Sequence, residues 1–502
     1  MTDRTATLGG GAPSPSAAAD EPAPAAVDHT ARNRLVIGLL LVSTFAVILN
    51  ETIMSVALPR LMADLDITAS AAQWLTTAFL LTMAVVIPIT GFLLQRFNTR
   101  PVFMLAMSLF TTGTLISAAA PGFEVLVLGR VVQASGTAVM MPLLMTTIMT
   151  LVPPESRGRT MGFISIVISV APALGPTVSG LILSALDWRF MFILVLPIAV
   201  AALALGAAKI PNVGNPRKAP LDVVSVMLSA FGFGGLVYGL SSLGESGGVE
   251  PVVPAWLSLT VGGAVLAVFV LRQLAQQREN RALLDLRTFT SKVFSVSVLL
   301  MVINMMALFG AMILLPIYLQ NVAGLTTLQT GLLLLPGGLL MGLCAPFIGA
   351  LYDRHGPTPL IVPGAVVVST ALWILTLVGA DSSMFLVLGA HLVLMGGLSL
   401  MFTPLFSTSL GSLPMALYSH GSAVIGTVQQ VAGAAGTALF IALMTTRSAT
   451  LAAAGAAPDV ALAGGIHTAF TWGAVISLLS IAAAFFVRKP AATARAAMAA
   501  GH

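Results

Sequence analysis

Two residues of this 502-residue chain carry a formal charge well inside an apolar run. Glu51 lies two-thirds of the way along the first such run, in VILNETIMSVALP (47–59), and Arg130 lies in LVLGRVVQASGTA (126–138). Burying either charge costs several kcal/mol or more, so each needs a reason to be there. A carboxyl in a dry cavity holds a proton more readily, and a nearby guanidinium favours the ionised form. A cavity that opens first to one side and then to the other changes both influences. Such a carboxyl loads a proton in one state and releases it in the other, which makes Glu51 a candidate proton carrier and Arg130 the charge that tunes it. The alternative is a fixed ion pair between two helices, although a buried pair seldom repays its desolvation in stability.

Further polar groups accompany the pair. Gln133 follows Arg130 by three residues, on the same helix face. Asn50, Gln73, Asn304, Gln429 and Gln430 are the other amides at membrane depth, able to hydrogen-bond a substrate or to join helix to helix. Methionines in VMMPLLMTTIM (139–149) and at Met301, Met305, Met306 and Met312 suit an adaptable pocket or simple core filling. The chain has no His-Glu-x-x-His or Gly-x-Ser-x-Gly set and no Gly-Lys-Ser/Thr phosphate loop, which argues against an intramembrane enzyme and a nucleotide-driven pump. Its one cysteine, Cys344, permits neither an intrachain disulfide nor a thiolate metal cluster, and no cofactor or metal is expected.

These side chains must be held by helices that cross a bilayer. The composition is 57% hydrophobic and 8% charged, against roughly 25% charged in an average soluble domain, and the mean hydropathy is +0.99. With a window of about 20 apolar residues per crossing, spans fall near 35–57, 70–94, 102–119, 124–150, 160–185, 190–208, 221–243, 255–272, 293–319, 328–350, 359–379, 384–405, 420–445 and 468–488. Span 1 ending near Leu58 and span 4 starting near Glu124 put Glu51 and Arg130 at one depth, roughly 10 Å below the outer surface at 1.5 Å per residue. Residues 1–34, rich in Ala, Pro, Gly and Ser, read as a disordered tail rather than a signal peptide, and 489–502 as a second tail.

Fourteen spans put both termini on one face. Nineteen of the 23 Lys and Arg residues fall on that face and only Arg60, Arg189 and Arg447 on the other, so the termini are expected in the cytoplasm. The same bias accounts for the net charge of +5 without a nucleic-acid partner. The longest polar stretch after the tail, LRQLAQQRENRALLDLRTFTSK (271–292), is a connector or an amphipathic helix on the inner leaflet.

GFLLQRFNTRPVF (91–103) and GALYDRHGPTPLI (349–361) close spans 2 and 10 in similar words, each with a glycine four residues before Gln or Asp and then an arginine. Their offset of eight spans divides the chain into two six-span halves, 35–208 and 293–488, around an inserted pair at 209–292. Here the chain resembles the major facilitator superfamily, in its fourteen-span drug:proton antiporter branch. The resemblance rests on the loop signature at Gly91, Arg96 and Arg100 and again at Gly349, Asp353, Arg354 and Gly356, on the span-4 arginine stretch, on APALGPTVSG (171–180) with Gly175 and Pro176, and on the span-1 stretch. Two departures stand out: Asn50 occupies the usual span-1 aspartate position with Glu51 beside it, and Gln95 replaces the first loop aspartate. The resemblance implies an all-α polytopic fold with two six-helix halves and two inserted helices, rocking through the switch residues Gly91, Arg96, Arg100, Gly349, Asp353, Arg354, Gly175 and Pro176. It implies export of hydrophobic or cationic drugs by proton antiport across the cytoplasmic membrane, with a small-molecule substrate, protons and the lipid bilayer as partners, and a monomer. A dedicated physiological cargo on the same fold remains the other reading, since pocket shape is not written in the spans.

Overall fold

The computed structural model describes residues 30–67, 69–212, 222–244, 253–279, 281–379 and 382–487. Among them the chain is helical throughout: α1 (Thr30–Leu65), α2 (Ala69–Arg96), α3 (Thr99–Ala118), α4 (Phe123–Leu151), α5 (Arg157–Ala185), α6 (Phe190–Ile193), α7 (Leu196–Lys209), α8 (Val223–Gly244), α9 (Ala255–Gln276), α10 (Lys292–Asn321), α11 (Thr327–His355), α12 (Thr358–Leu375), α13 (Met384–Gly411), α14 (Tyr418–Ala453) and α15 (Pro458–Ala484). α6 and α7 are one span, broken because Pro197 has no N–H to give the carbonyl of Ile193. That leaves 14 helical spans long and apolar enough to cross a membrane.

Several helices outrun their expected limits, α1 and α14 among them. α1 and α14 are 36 residues each, well beyond the roughly 20 that a bilayer core requires. α1 starts at Thr30, inside the stretch expected as a tail, and continues to Leu65 past the end of the apolar run. Its last turns carry an Arg60–Asp64 pair at 3.1 Å with the favourable i,i+4 spacing. The rest of the first tail and all of the second lie outside the described residues.

Helix partners repeat between the halves. α3 with α4 is matched by α12 with α13, α1 with α5 by α10 with α14, and α2 with α4 by α11 with α13. The halves meet along two seams, α5/α11 and α2/α14, and α8 lies against both helices of the second seam with α9 behind it. The α5/α11 seam is backbone on backbone: a Cβ on Gly349 would run into the carbonyl of Gly158, and one on Gly162 would meet that of Ala345.

Of the two readings of the 271–292 stretch, the structure agrees with the connector. Among the described residues no amphipathic surface helix forms there: α9 ends at Gln276, and two short 3-10 turns, Gln277–Glu279 and Leu286–Thr290, follow. Between them Leu283, Leu284 and Asp285 are buried. The cause is Gln273, itself buried, whose Oε1 accepts from the N–H of Leu283 at 2.8 Å and of Leu284 at 3.2 Å and so turns the chain inward. Asp285 then caps the second turn by accepting from the Arg287 N–H at 2.9 Å. At the same end of the inserted pair Arg272 grips Asp222 through Nε and Nη2 at 2.7 and 2.9 Å, and these bonds hold the Asp222 carboxyl down to about 2.

Candidate functional site

Glu51 and Arg130 come to the same level by packing. Ile53, Met54, Ala57 and Leu61 of α1 share one buried cluster with Leu126 of α4, which places Arg130 a turn further along α4 opposite the Glu51 turn of α1. One residue on from Glu51, Thr52 fixes α1 against α5. Its Oγ1 lies 3.4 Å from the carbonyl of Ala171, and a Cβ on Gly175 would sit 2.5 Å from that same oxygen. Glu51 is half-buried, and its charge and that of Arg130 act on one another.

They are not an ion pair: Arg130 and Glu51 are absent from the salt bridges formed among the described residues. The guanidinium is held elsewhere. Arg130, 1% exposed, donates from Nη1 to Gln133 Oε1 at 2.6 Å, and its Cζ lies 4.0 Å from the ring centroid of Phe79 on α2. Gln133 Nε2 donates in turn to Thr114 Oγ1 on α3 at 2.8 Å, and Thr114 donates to the carbonyl of Phe110 at 2.7 Å. This chain of bonds across α2, α3 and α4 needs α3 and α4 in close approach. Gly113 supplies it, since a Cβ there would overlap the backbone of Gln133. Arg130 Nε remains buried without a partner.

The amides divide. Gln133 spends both ends on Arg130 and Thr114. Asn50 Oδ1, both side-chain polar atoms of Asn304 and Gln429 Nε2 are buried with no partner, which leaves them open to a ligand or water. Gln430 Nε2 contacts the Met83 sulfur of α2 at 3.4 Å. Gln73 lies on α2 and Pro176 on α5, but their side chains fall outside the described residues.

Six of the switch residues, Gly91, Arg96, Arg100, Gly349, Asp353 and Arg354, gather where both tails attach, termed here the tail face, whereas Gly175 and Pro176 lie deep in α5, Gly175 against Thr52. Asp353, in the last turn of α11, accepts from the N–H groups of Gly158 at 2.8 Å and Arg159 at 2.9 Å, and so caps the start of α5 in the other half. Arg354 beside it is exposed. Gln95, at the matching place on α2, reaches the carbonyl of Ala416 at 3.4 Å, a much weaker contact. Arg100 caps α7 by donating to the carbonyl of Ala207 at 2.5 Å, Arg96 ends α2 half-buried, and Gly91 faces α14. Arg157 donates to the Tyr418 hydroxyl at 3.3 Å, Thr146 to Ser422 at 3.0 Å, and Ser165 and Thr403 lie 2.7 Å apart. Apart from the Arg100 contact, which stays within the first half, these contacts join one half to the other, and several of them close the tail face.

Sequence reasoning missed Phe79, Thr114, Arg157, Tyr418, Gln273 and the buried histidines His391 and His420. The histidines carried a signal, being titratable groups inside apolar runs. Phe79 and Thr114 carried none, because nothing local tells which face of an all-apolar helix turns toward an arginine.

The profile of the Major Facilitator Superfamily matches residues 40–437. An uncharacterised transporter of Bacillus subtilis, YcnB, is 40% identical over 91% of this chain and 95% of its own length. The lincomycin resistance protein LmrB of Listeria monocytogenes is 41% identical over 90% of this chain and 96% of its own. A multidrug resistance protein B homolog of Mycobacterium tuberculosis is 30% identical over 82% of this chain and 77% of its own. Among solved structures, the human organic anion transporter MFSD10 superposes with a TM-score of 0.64 at 15% identity, covering 90% of this chain and 99% of that one. The proton:xylose symporter XylE gives 0.62 at 15% identity, covering 92% and 97%.

Proposed function

The chain belongs to the major facilitator superfamily, and on that premise we propose that it is a proton-coupled antiporter exporting hydrophobic or cationic drugs across the cytoplasmic membrane by alternating access. Lincomycin is a first substrate to try, because relatives about 40% identical carry that resistance in their names. The observation that carries the reading is the tethering of Arg130 by Gln133 and Phe79 instead of by Glu51. A directly paired carboxylate would be locked in its ionised form. A carboxylate that feels the charge from a fixed distance stays able to bind a proton at an oxygen when its surroundings dry, and to give it up when they wet.

In the cycle, Glu51 takes a proton from the outer side while the tail face is closed. The halves, 35–208 and 293–488, then rock, water reaches Glu51 from the cytoplasm, and the proton leaves as substrate is taken up among the unpartnered amides Asn50, Asn304 and Gln429. Both termini are cytoplasmic on the lysine and arginine bias, and one chain is sufficient for the cycle.

The test is gradient-driven uptake of ethidium and of lincomycin into inside-out vesicles, comparing the native chain with Glu51→Gln. Uptake that the substitution abolishes, with substrate binding kept, supports the proposal. Equal uptake by both chains refutes the role of Glu51, and no uptake by the native chain points to a dedicated cargo instead.

A further inference from the structure

The stretch 271–292 reaches a place that its polar composition does not suggest. Leu283, Leu284 and Asp285 are 2 to 3% exposed, and the Leu283 carbonyl faces the α2/α14 seam at the tail face. Three elements converge at Gly91 of α2: a Cβ built there would lie 3.3 Å from His420 Nδ1 and 3.4 Å from Ala423 Cβ on α14, and 3.5 Å from the Leu283 carbonyl. His420 is buried, and the charges of Asp285 and Arg287 reach it from the linker. Gln273 anchors the linker to α9, and Ser291 anchors its far end by donating to Ser412 at 3.0 Å, just beyond α13. The linker therefore touches both halves and the inserted pair together.

The two seams are closed unequally. On α5/α11 the carboxylate of Asp353 accepts two backbone N–H groups across the halves; on α2/α14 the matching residue is Gln95, with a single 3.4 Å contact. We propose that the α9–α10 linker is the missing second latch: seated across α2/α14 it holds the tail face shut, and it must unseat each time the cavity opens to that side. Its build suits reversible seating. Two leucines and two backbone bonds to Gln273 hold it in, while Arg278, Glu279 and Arg281 around them remain exposed to water. This assigns the inserted helices a gating task, and it rests on the alternating-access reading above.

The proposal is tested by labelling that needs no substrate. Cys344 is replaced by Ser and Leu284 by Cys, and inside-out vesicles are treated with a membrane-impermeant maleimide; Arg278→Cys serves as the exposed reference. Leu284→Cys is expected to react at least tenfold more slowly than that reference. Adding Gln273→Met, which removes both anchoring bonds, is expected to raise the rate about tenfold. Adding Asp353→Asn, which weakens only the opposite seam, is expected to raise it several-fold, because two latches on one closed state release together. Size-exclusion profiles screen out unfolded chains, with Gln273→Leu as a second variant. A Leu284→Cys rate equal to the reference shows that the linker is not seated, and protection indifferent to Asp353→Asn shows a static seal; either overturns the proposal. Neither outcome depends on ethidium or lincomycin uptake, so a failure of the antiport reading remains distinguishable.

Discussion

Replacing Gln133 by Leu tests why Arg130 and Glu51 stay apart. Leucine is close to glutamine in volume, so the α3/α4 packing at Gly113 is kept while two hydrogen bonds go. The bond from Arg130, at 2.6 Å, is charge-assisted and worth about 1.5–3 kcal/mol; the bond to Thr114, at 2.8 Å, is worth about 1 kcal/mol. The stacking on Phe79 stays, but alone it contributes only about 2 kcal/mol when desolvated. The freed guanidinium has one strong alternative, the carboxylate of Glu51, and swinging to it recovers part of the loss. The net destabilisation should therefore be about 1–3 kcal/mol, and the new ion pair should cost coupling more than binding. At 1.4 kcal/mol per factor of ten, gradient-driven ethidium uptake in proteoliposomes should fall roughly 10- to 100-fold, with downhill exchange reduced much less. Gln133→Glu, which retains an acceptor for Arg130, should retain more coupling than Gln133→Leu. Native gradient-driven uptake by Gln133→Leu would refute the idea that holding Arg130 away from Glu51 matters.

Three other outcomes follow from contacts described above. Gly175→Ala places a methyl 2.5 Å from Thr52 Oγ1, forcing α1 from α5; uptake should drop, and adding Thr52→Ala should recover part of it, with no recovery arguing against that contact. Gly349→Val drives a side chain into the Gly158 backbone and should destabilise the seam by about 1–3 kcal/mol, read as a lower melting temperature in detergent. For Asp222 the carboxyl sits at about 2, below its unfolded value near 4. The contribution of its Arg272 pair is thus fully present above pH 4 and lost as pH falls through 2, so the melting difference between native and Asp222→Asn should be constant near neutrality and shrink between pH 4 and 2.

The all-α membrane fold and its fourteen spans were legible because hydrocarbon thickness imposes a length on every crossing, and continuous apolar runs of about 20 residues fit a helix and not the short alternating strands of a barrel. Residues 51 and 130 stood out because a charge in an apolar run is conspicuous. What could not be read was direction. A helix that is apolar on every side does not say which face meets a neighbour, so Phe79 under Arg130 and the internal use of Gln133 came only with the packing. The linker was legible as a connector, but its inward course was not: Gln273 captures Leu283 and Leu284 by a side chain ten residues upstream, and propensity or periodicity does not register such a bond. The helix ends also escaped, since α1 continues past its long apolar run to bury Leu61 and pack Leu65 against the same cluster, with Arg60 and Asp64 paired on its exposed side.

The glycine-on-glycine crossing of α5 and α11 has a mechanical consequence. At Gly162 and Gly349 the nearest atoms of the facing helix are backbone, so the two helices can pivot there as a bearing does. α11 has 29 residues, so it is about 43 Å long at 1.5 Å per residue. A pivot of about 15°, the size known from subunit rotations, moves Asp353, about 6 Å beyond Gly349 along the helix, by roughly 1.6 Å. Added to bonds of 2.8 and 2.9 Å, that shift is enough to part the Asp353 cap from α5 without bending any helix.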